Sequence, residues 1–323
     1  MRILKKVVNL VAFFLLAFFV YFNFSNISLY ANSFFTKVKD DGTLLVSALS
    51  GGNYDIKGIG SLIGENDNLF DNGSLGEEYN FDTEFYPYYG MLDKEKQKLY
   101  KQIYANAVNL KKTFSPIIKI NSEEMSQVIE AVVYDHPELY FLDNNYSFKY
   151  NISGICVQVI LKFNELANNL ENSNRNFKKA VDDIILKASK YKSDLEKEKY
   201  VHNYLVNKLV YDENATLNQS AYSALVNKVS VCAGYSRAFQ YILMRLNIPC
   251  YYVVGESSGN HAWNIVKIDN EYFNVDLTWD NTGDNSYEYF NKSDLEISNT
   301  HSRNSLSINL PLCGSSYNDD IYH

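Results

Sequence analysis

Apolar positions along this chain follow three rhythms: an unbroken run, a helical repeat and an alternation. Leu10 to Phe22 is an unbroken apolar run of 13 residues behind the basic residues Arg2, Lys5 and Lys6. It is shorter than the roughly 20 residues a spanning helix needs, and with its basic flank it reads as a secretory leader over 1–31. Cleavage is expected after Ala31, with a retained N-terminal anchor as the alternative. From Asn32 to Tyr79 the apolar residues thin to patches such as Leu44 to Val46, set between the turn clusters Gly51-Gly52-Asn53 and Asp71-Asn72-Gly73-Ser74. Such a composition buries too little surface to offset ordering, and it predicts a flexible spacer over 32–83.

Helical spacing then takes over. Leu99, Ile103 and Ala107 predict a helix over Asp93 to Leu110 with Asp93 as its cap. Met125, Val128, Ile129, Val132 and Val133 predict a second over Ser122 to Tyr134, stopped by Asp135-His136-Pro137. Ser147 to Tyr150 and Ile155 to Phe163 predict a hairpin, with Ile155, Val157, Val159, Leu161 and Phe163 on one face and Cys156 on the other. Helical spacing returns over Arg175 to Tyr191, and Ser193 with Glu196 forms a capping box for a helix running to Leu209. Gln219 to Val226 reads as a short helix or turn. From Tyr235 the residues Phe239, Ile242 and Leu246 predict a helix closed by Asn247 and Pro249.

β-Branched and aromatic residues then predict strands over Cys250 to Gly255, Ala262 to Ile268 and Glu271 to Val275. The last two are joined at Asp269-Asn270, so that Ile268 faces Glu271 and Trp263 faces Asp276. A last strand is expected over Ser286 to Phe290. The whole reads as an α+β protein: a helix-pair and hairpin unit over 84–170, a second unit over 171–310 and a tail over 311–323.

The 323 residues, 46% of them hydrophobic, can bury a sizeable core. The net charge of −8 becomes −11 if Arg2, Lys5 and Lys6 leave with the leader. An acidic balance argues against nucleic acid and anionic lipid as partners, which require clustered Lys and Arg. Membrane contact is expected only through the N-terminal segment, if it is retained. Four cysteines show no Cys-x-x-Cys spacing, and neither a structural disulfide nor a metal is expected. The oxygen-rich run Asp280 to Asn285 departs from a calcium-loop spacing and reads as a surface turn. His136 beside Pro137 reads as a turn or cap residue and His202 as a structural histidine, while His301 suggests no role.

Candidate chemistry is concentrated in three passages: Val231-Cys232-Ala233-Gly234-Tyr235-Ser236-Arg237, Asn260-His261-Ala262-Trp263-Asn264 and Asn274-Val275-Asp276-Leu277-Thr278-Trp279-Asp280. Cys232 stands where a helix begins, and there unpaired N–H groups and the positive end of the dipole favour a thiolate. His261 opens one strand and Asp276 ends its antiparallel neighbour, near enough for contact across the ladder. A carboxylate so placed fixes one imidazole nitrogen while the other takes a thiol proton. Cys232, His261 and Asp276 are therefore the expected nucleophile, base and orienting acid.

These three blocks, in this order, resemble the bacterial branch of the transglutaminase-like superfamily of cysteine acyltransferases and proteases, over roughly Lys187 to Arg303. The resemblance implies a papain-like core, in which a nucleophile helix packs on an antiparallel sheet, and the same three catalytic residues. It implies no cofactor. It also implies an exported enzyme of the cell envelope that acts on amide bonds of protein or peptide substrates, by transamidation or by proteolysis. A catalytically idle binding or assembly module on the same fold is the alternative. The unit over Glu84 to Glu165 resembles the accessory domain that precedes such cores. Animal transglutaminases place a Trp upstream of the nucleophile to help hold the oxyanion, whereas Trp263 and Trp279 both lie downstream here. The Cys232 backbone N–H is the default donor, and Gln219, Tyr222 and Trp263 are the side chains expected to bind substrate or oxyanion.

Overall fold

Two larger sheets, a two-stranded one and the helices packed with them make up the fold, and the computed structural model describes residues 34–38, 44–48, 57–62, 71–281 and 287–315. The expected leader, most of the oxygen-rich run and the end of the tail lie outside the described residues. In chain order come β1 (Phe34–Val38), β2 (Leu44–Ala48), β3 (Lys57–Leu62), α1 (Pro87–Met91), α2 (Lys94–Val108), β4 (Thr113–Phe114) and α3 (Ser122–Asp135). The hairpin β5 (Leu142–Tyr150) and β6 (Cys156–Phe163), then α4 (Leu170–Ala188) and α5 (Asp194–Lys208), lead to β7 (Val210–Tyr211), β8 (Val229–Ser230) and α6 (Cys232–Arg245). The last part holds β9 (Cys250–Glu256), β10 (Asn260–Ile268), β11 (Glu271–Val275), α7 (Leu277–Asp280), α8 (Asp294–Ile297) and β12 (Ser302–Arg303). One sheet has the order β1-β2-β3-β5-β6-β4, a second β11-β10-β9-β12, and β7 pairs with β8 in parallel. Among the described residues no helix is long and apolar enough to cross a membrane.

Most of the longer helices start where a side chain can satisfy their first N–H groups. Asp93 accepts from the Lys96 N–H at 2.9 Å, Asn121 from Glu124 at 2.9 Å, and Ser193 with Glu196 completes the expected capping box. The stretch expected as a flexible spacer differs from that reading. It contributes three strands, of which β3 pairs in parallel with β5. Its end is strapped to α2: the Asn106 side chain accepts from the Ser74 N–H and donates to the Ser74 carbonyl. Gly76 in this strap, at φ +73°, lies so close to α2 that a Cβ would sit 2.3 Å from the Lys101 carbonyl oxygen.

The hairpin also departs from simple alternation. A register shift between Lys149 and Tyr150 places Cys156 opposite Tyr150, and Cys156 joins Val159 and Leu161 in the core while Val157 is half-buried. All four cysteines are buried and free.

The helix pair and hairpin are packed into one body with the elements after them. A single buried cluster runs from Phe81 to Cys313. The Tyr88 hydroxyl donates to the Tyr252 carbonyl at 2.6 Å, Arg237 donates to Val133 at 2.7 Å and Gln240 to Tyr134 at 2.9 Å. Buried Asp135, at the end of α3, accepts from the Tyr89 N–H and the Tyr100 hydroxyl, both at 2.8 Å. Burial pushes its pKa up to about 8 against those hydrogen bonds.

In the second sheet β10 and β11 pair as the turn demands, with Ile268 opposite Glu271 and Asn264 opposite Val275. Asp269 and Asn270 take φ values of +50° and +67°, as a two-residue hairpin turn requires. α6 lies against this sheet, its Ser236 hydroxyl donating to the Ala262 carbonyl at 3.0 Å. Of the last strand expected over Ser286 to Phe290, the described residues 287–290 form none. Residues 287–290 make a turn instead, and Lys292 bridges to Asn274. The sheet is completed by β12, where Ser302 faces Glu256 and Arg303 faces Gly255.

Candidate active site

Cys232 is the first residue of α6, behind Val231 in extended conformation as its N-cap. The approach to it is fixed by the segment at Asn218: its carbonyl accepts from the Val231 N–H at 3.1 Å and from the Ser230 hydroxyl. This packing explains Gly234, where a Cβ would lie 1.8 Å from Ser230 Oγ and 2.7 Å from the Asn218 carbonyl oxygen. The backbone passing the nucleophile helix is therefore that of Asn218 to Ser220.

On the facing strand, His261 Nε2–H donates to Asp276 Oδ2 at 2.5 Å. With Nε2 committed, Nδ1 is the ring nitrogen left for Cys232, whose sulfur is near enough to help raise the basicity of the imidazole. Asp276 caps the short helix α7, its Oδ1 accepting the Thr278 and Trp279 N–H groups at 2.9 and 3.2 Å. All three residues are buried, with Cys232 only 1% exposed. Burial pulls the His261 pKa down, but the charge and hydrogen bond of Asp276, joined by those of the Cys232 sulfur, raise it to about 10. Burial likewise pushes Asp276 up, yet His261, and after it His301, hold it well below the usual carboxylate range. The arrangement is a carboxylate-oriented imidazole beside a cysteine at a helix start, the group types that nucleophilic acyl chemistry uses.

The imidazole opens onto a cleft of about 780 Å³ lined by Tyr211, Glu213, Gln219, Ser257, Asn260 and Trp279, among others. Gln219 thus reaches the site, with its Oε1 accepting from Asn144 Nδ2 at 2.6 Å. Asn218 and Gln219 also wall a smaller pocket of about 270 Å³ that none of the three catalytic candidates lines. Tyr222 does not face the cleft, because it packs between Tyr140 and Phe177 in the core. Trp263 is 1% exposed and lies behind the imidazole, with ring centroids 6.1 Å apart and its Nε1–H on Asn274 Oδ1 at 3.0 Å. It backs the imidazole and does not line the cleft.

Of the other histidines, His202 is a structural clamp, with Nε2 3.0 Å from Asp280 Oδ2. His136 is buried in an aromatic cluster, with Nδ1 2.6 Å from Glu138. His301 is the residue that sequence reasoning missed. Its Nε2 lies 2.9 Å from Asp276 Oδ2, the same oxygen that serves His261. His261, Asp276 and His301 offer three metal-type donor atoms within 4.8 Å of one another, and hydrogen bonds between them account for this grouping.

Residues 181–277, which contain all three expected catalytic groups, match the family model of the transglutaminase-like superfamily. A comparison with curated proteins finds no match. Among solved structures, a candidate cysteine protease from Cytophaga hutchinsonii is 20% identical over 33% of this chain and 37% of its own, with a TM-score of 0.28. A TGase is 18% identical over 57% of this chain and 54% of its own, with a TM-score of 0.31. The chain thus spans between about a third and a half of these structures, and overlaps this partial carry no argument. It is on the family match and the α+β core that the assignment rests: the segment 181–277 belongs to the transglutaminase-like superfamily.

Proposed function

We propose that the protein is a thiol acyltransferase or hydrolase of amide bonds in proteins or peptides, exported to the cell envelope. Cys232 attacks the amide carbonyl, and the oxyanion is held by the Cys232 backbone N–H and the Gln219 side chain. His261 gives its proton to the leaving amine, so the C–N bond breaks and a thioester remains. An amine or water, deprotonated by His261, then attacks the thioester and releases the thiol. The observation that carries this reading is His261, held through Nε2 by Asp276 with its other nitrogen left for Cys232 at the start of α6. Aromatic and polar groups lining the cleft support a peptide substrate. Export is supported by the basic flank and apolar run at the N-terminus.

The test is mass spectrometry of envelope proteins incubated with wild type and with Cys232→Ala. New isopeptide links with loss of ammonia indicate transamidation, and new N-termini indicate proteolysis; both must vanish in the variant. The low exposure of Cys232 favours a second reading, a catalytically idle binding module. That reading requires the folded protein to resist iodoacetamide near neutral pH.

A further inference from the structure

Asp276 is held more firmly than its pairing with one imidazole requires. Its Oδ1 accepts two backbone N–H groups of α7, which orient the carboxylate without help from elsewhere. Its Oδ2 nevertheless receives two imidazoles, His261 at 2.5 Å and His301 at 2.9 Å. His301 lies beyond the span matched by the family model, in a segment built to deliver it. The His301 N–H is bonded to the Ile297 carbonyl at 2.8 Å, and its Nδ1 lies 2.8 Å from the Thr300 hydroxyl. The next residues form β12 against β9, where they press so closely on Gly255 that a Cβ would meet the Ser302 carbonyl oxygen at 2.1 Å. The His301 side chain is 1% exposed, its ring packed against Trp263, Trp279 and Tyr289.

We infer that His301 is a positioning residue that acts through Asp276, dividing Oδ2 between two imidazoles and so weakening the carboxylate's grip on His261. This rests on the proposed triad of Cys232, His261 and Asp276. A donor on a carboxylate oxygen lowers its basicity toward any second donor. Without His301 the whole of Oδ2 falls to His261, which then holds its proton more tightly and becomes a poorer acid toward a leaving amine. The titratable groups facing this pair are Cys232 on α6, Asp276, Tyr289 against His301, and Tyr211 and Glu213 on the cleft wall. The test changes none of these.

The experiment measures iodoacetamide alkylation of Cys232 in wild type, His301→Leu and His301→Gln from about pH 5 to about pH 11. The upper inflection of the rate reports loss of the His261 proton. In His301→Leu it moves up by about half a unit to one unit, and in His301→Gln, whose amide again donates to Oδ2, it returns to the wild-type position. Two inflections in wild type that stay in place in His301→Leu, or that move equally in both variants, overturn this inference alone. A single ordinary thiol inflection in wild type overturns the triad and this inference with it. Should His301→Leu fail to fold, long-range ¹H–¹⁵N spectra of wild type decide. Alkylating Cys232 must shift the His301 Nε2 signal, and an unmoved signal overturns the inference.

Discussion

Replacing Asp276 with Asn changes almost no volume and removes the charge on which His261 depends. The carboxylate accepts four hydrogen bonds, two on each oxygen, whereas an amide has one oxygen to accept with. If that oxygen stays on the Thr278 and Trp279 N–H groups, the amide NH₂ faces both imidazoles. His261 must then turn Nε2 into an acceptor and carry its proton on Nδ1, the nitrogen that should take the proton of Cys232. The charge loss acts in the same direction. Burial alone pulls His261 down from 6.5, and the carboxylate and sulfur bring it to about 10. Removing the carboxylate therefore costs the imidazolium on the order of 3–5 kcal/mol. Turnover is expected to fall by about three orders of magnitude with little change in KM. Alkylation of Cys232 at neutral pH should fall in parallel, and circular dichroism should show the fold retained. Turnover and alkylation within about threefold of wild type would refute the reasoning, since each order of magnitude is about 1.4 kcal/mol.

Two further substitutions probe the support of the site. In Gly234→Ala the new methyl group meets Ser230 Oγ and the Asn218 carbonyl, so the segment carrying Gln219 must move. A loss of about 1–3 kcal/mol in urea unfolding is expected, with at least a tenfold drop in Cys232 alkylation. Glu198 is fully buried, and burial raises its pKa to about 8 against one hydrogen bond from Asn291. Because the folded value lies above the unfolded one, stability falls as pH rises from about 4.5 to about 8. Glu198→Gln should therefore melt higher than wild type at pH 8 by a margin on the order of 2–4 kcal/mol and near wild type at pH 4. Equal melting differences at both pH values would contradict this.

What was legible in the sequence was local. Leu99, Ile103 and Ala107, or Met125 through Val133, state a helix face in their own spacing, and Ser193 with Glu196 states where a helix begins. The site was legible for the same reason: the Asp269-Asn270 turn sets the register of its two strands, and register alone brings His261 to Asp276. What was missed depends on distant partners. Of the strands over 34–62, β1 and β2 are short apolar patches among turn clusters, and β3, with only Ile59 and Leu62 apolar, is paired with β5 in a way its own composition does not announce. Cys156 changed faces because a bulge broke the alternation. Tyr222 and Trp263 sit close to Cys232 and His261 in sequence, yet one turns into the core and the other backs the imidazole. His301 reaches Asp276 only because β12 pairs with β9 across Gly255. The single available hint was that glycine, placed where a strand has no local need of one.

The central claim is that the Cys232 sulfur becomes acylated. Intact-protein mass spectrometry of samples quenched in acid during turnover of an envelope-derived peptide tests it most directly. The expected spectrum shows a mass increase equal to the acyl fragment, localised by digestion to Cys232, lost on treatment with hydroxylamine and absent from Cys232→Ala. Product formation in wild type with no adduct on Cys232, or undiminished product in Cys232→Ala, would contradict it.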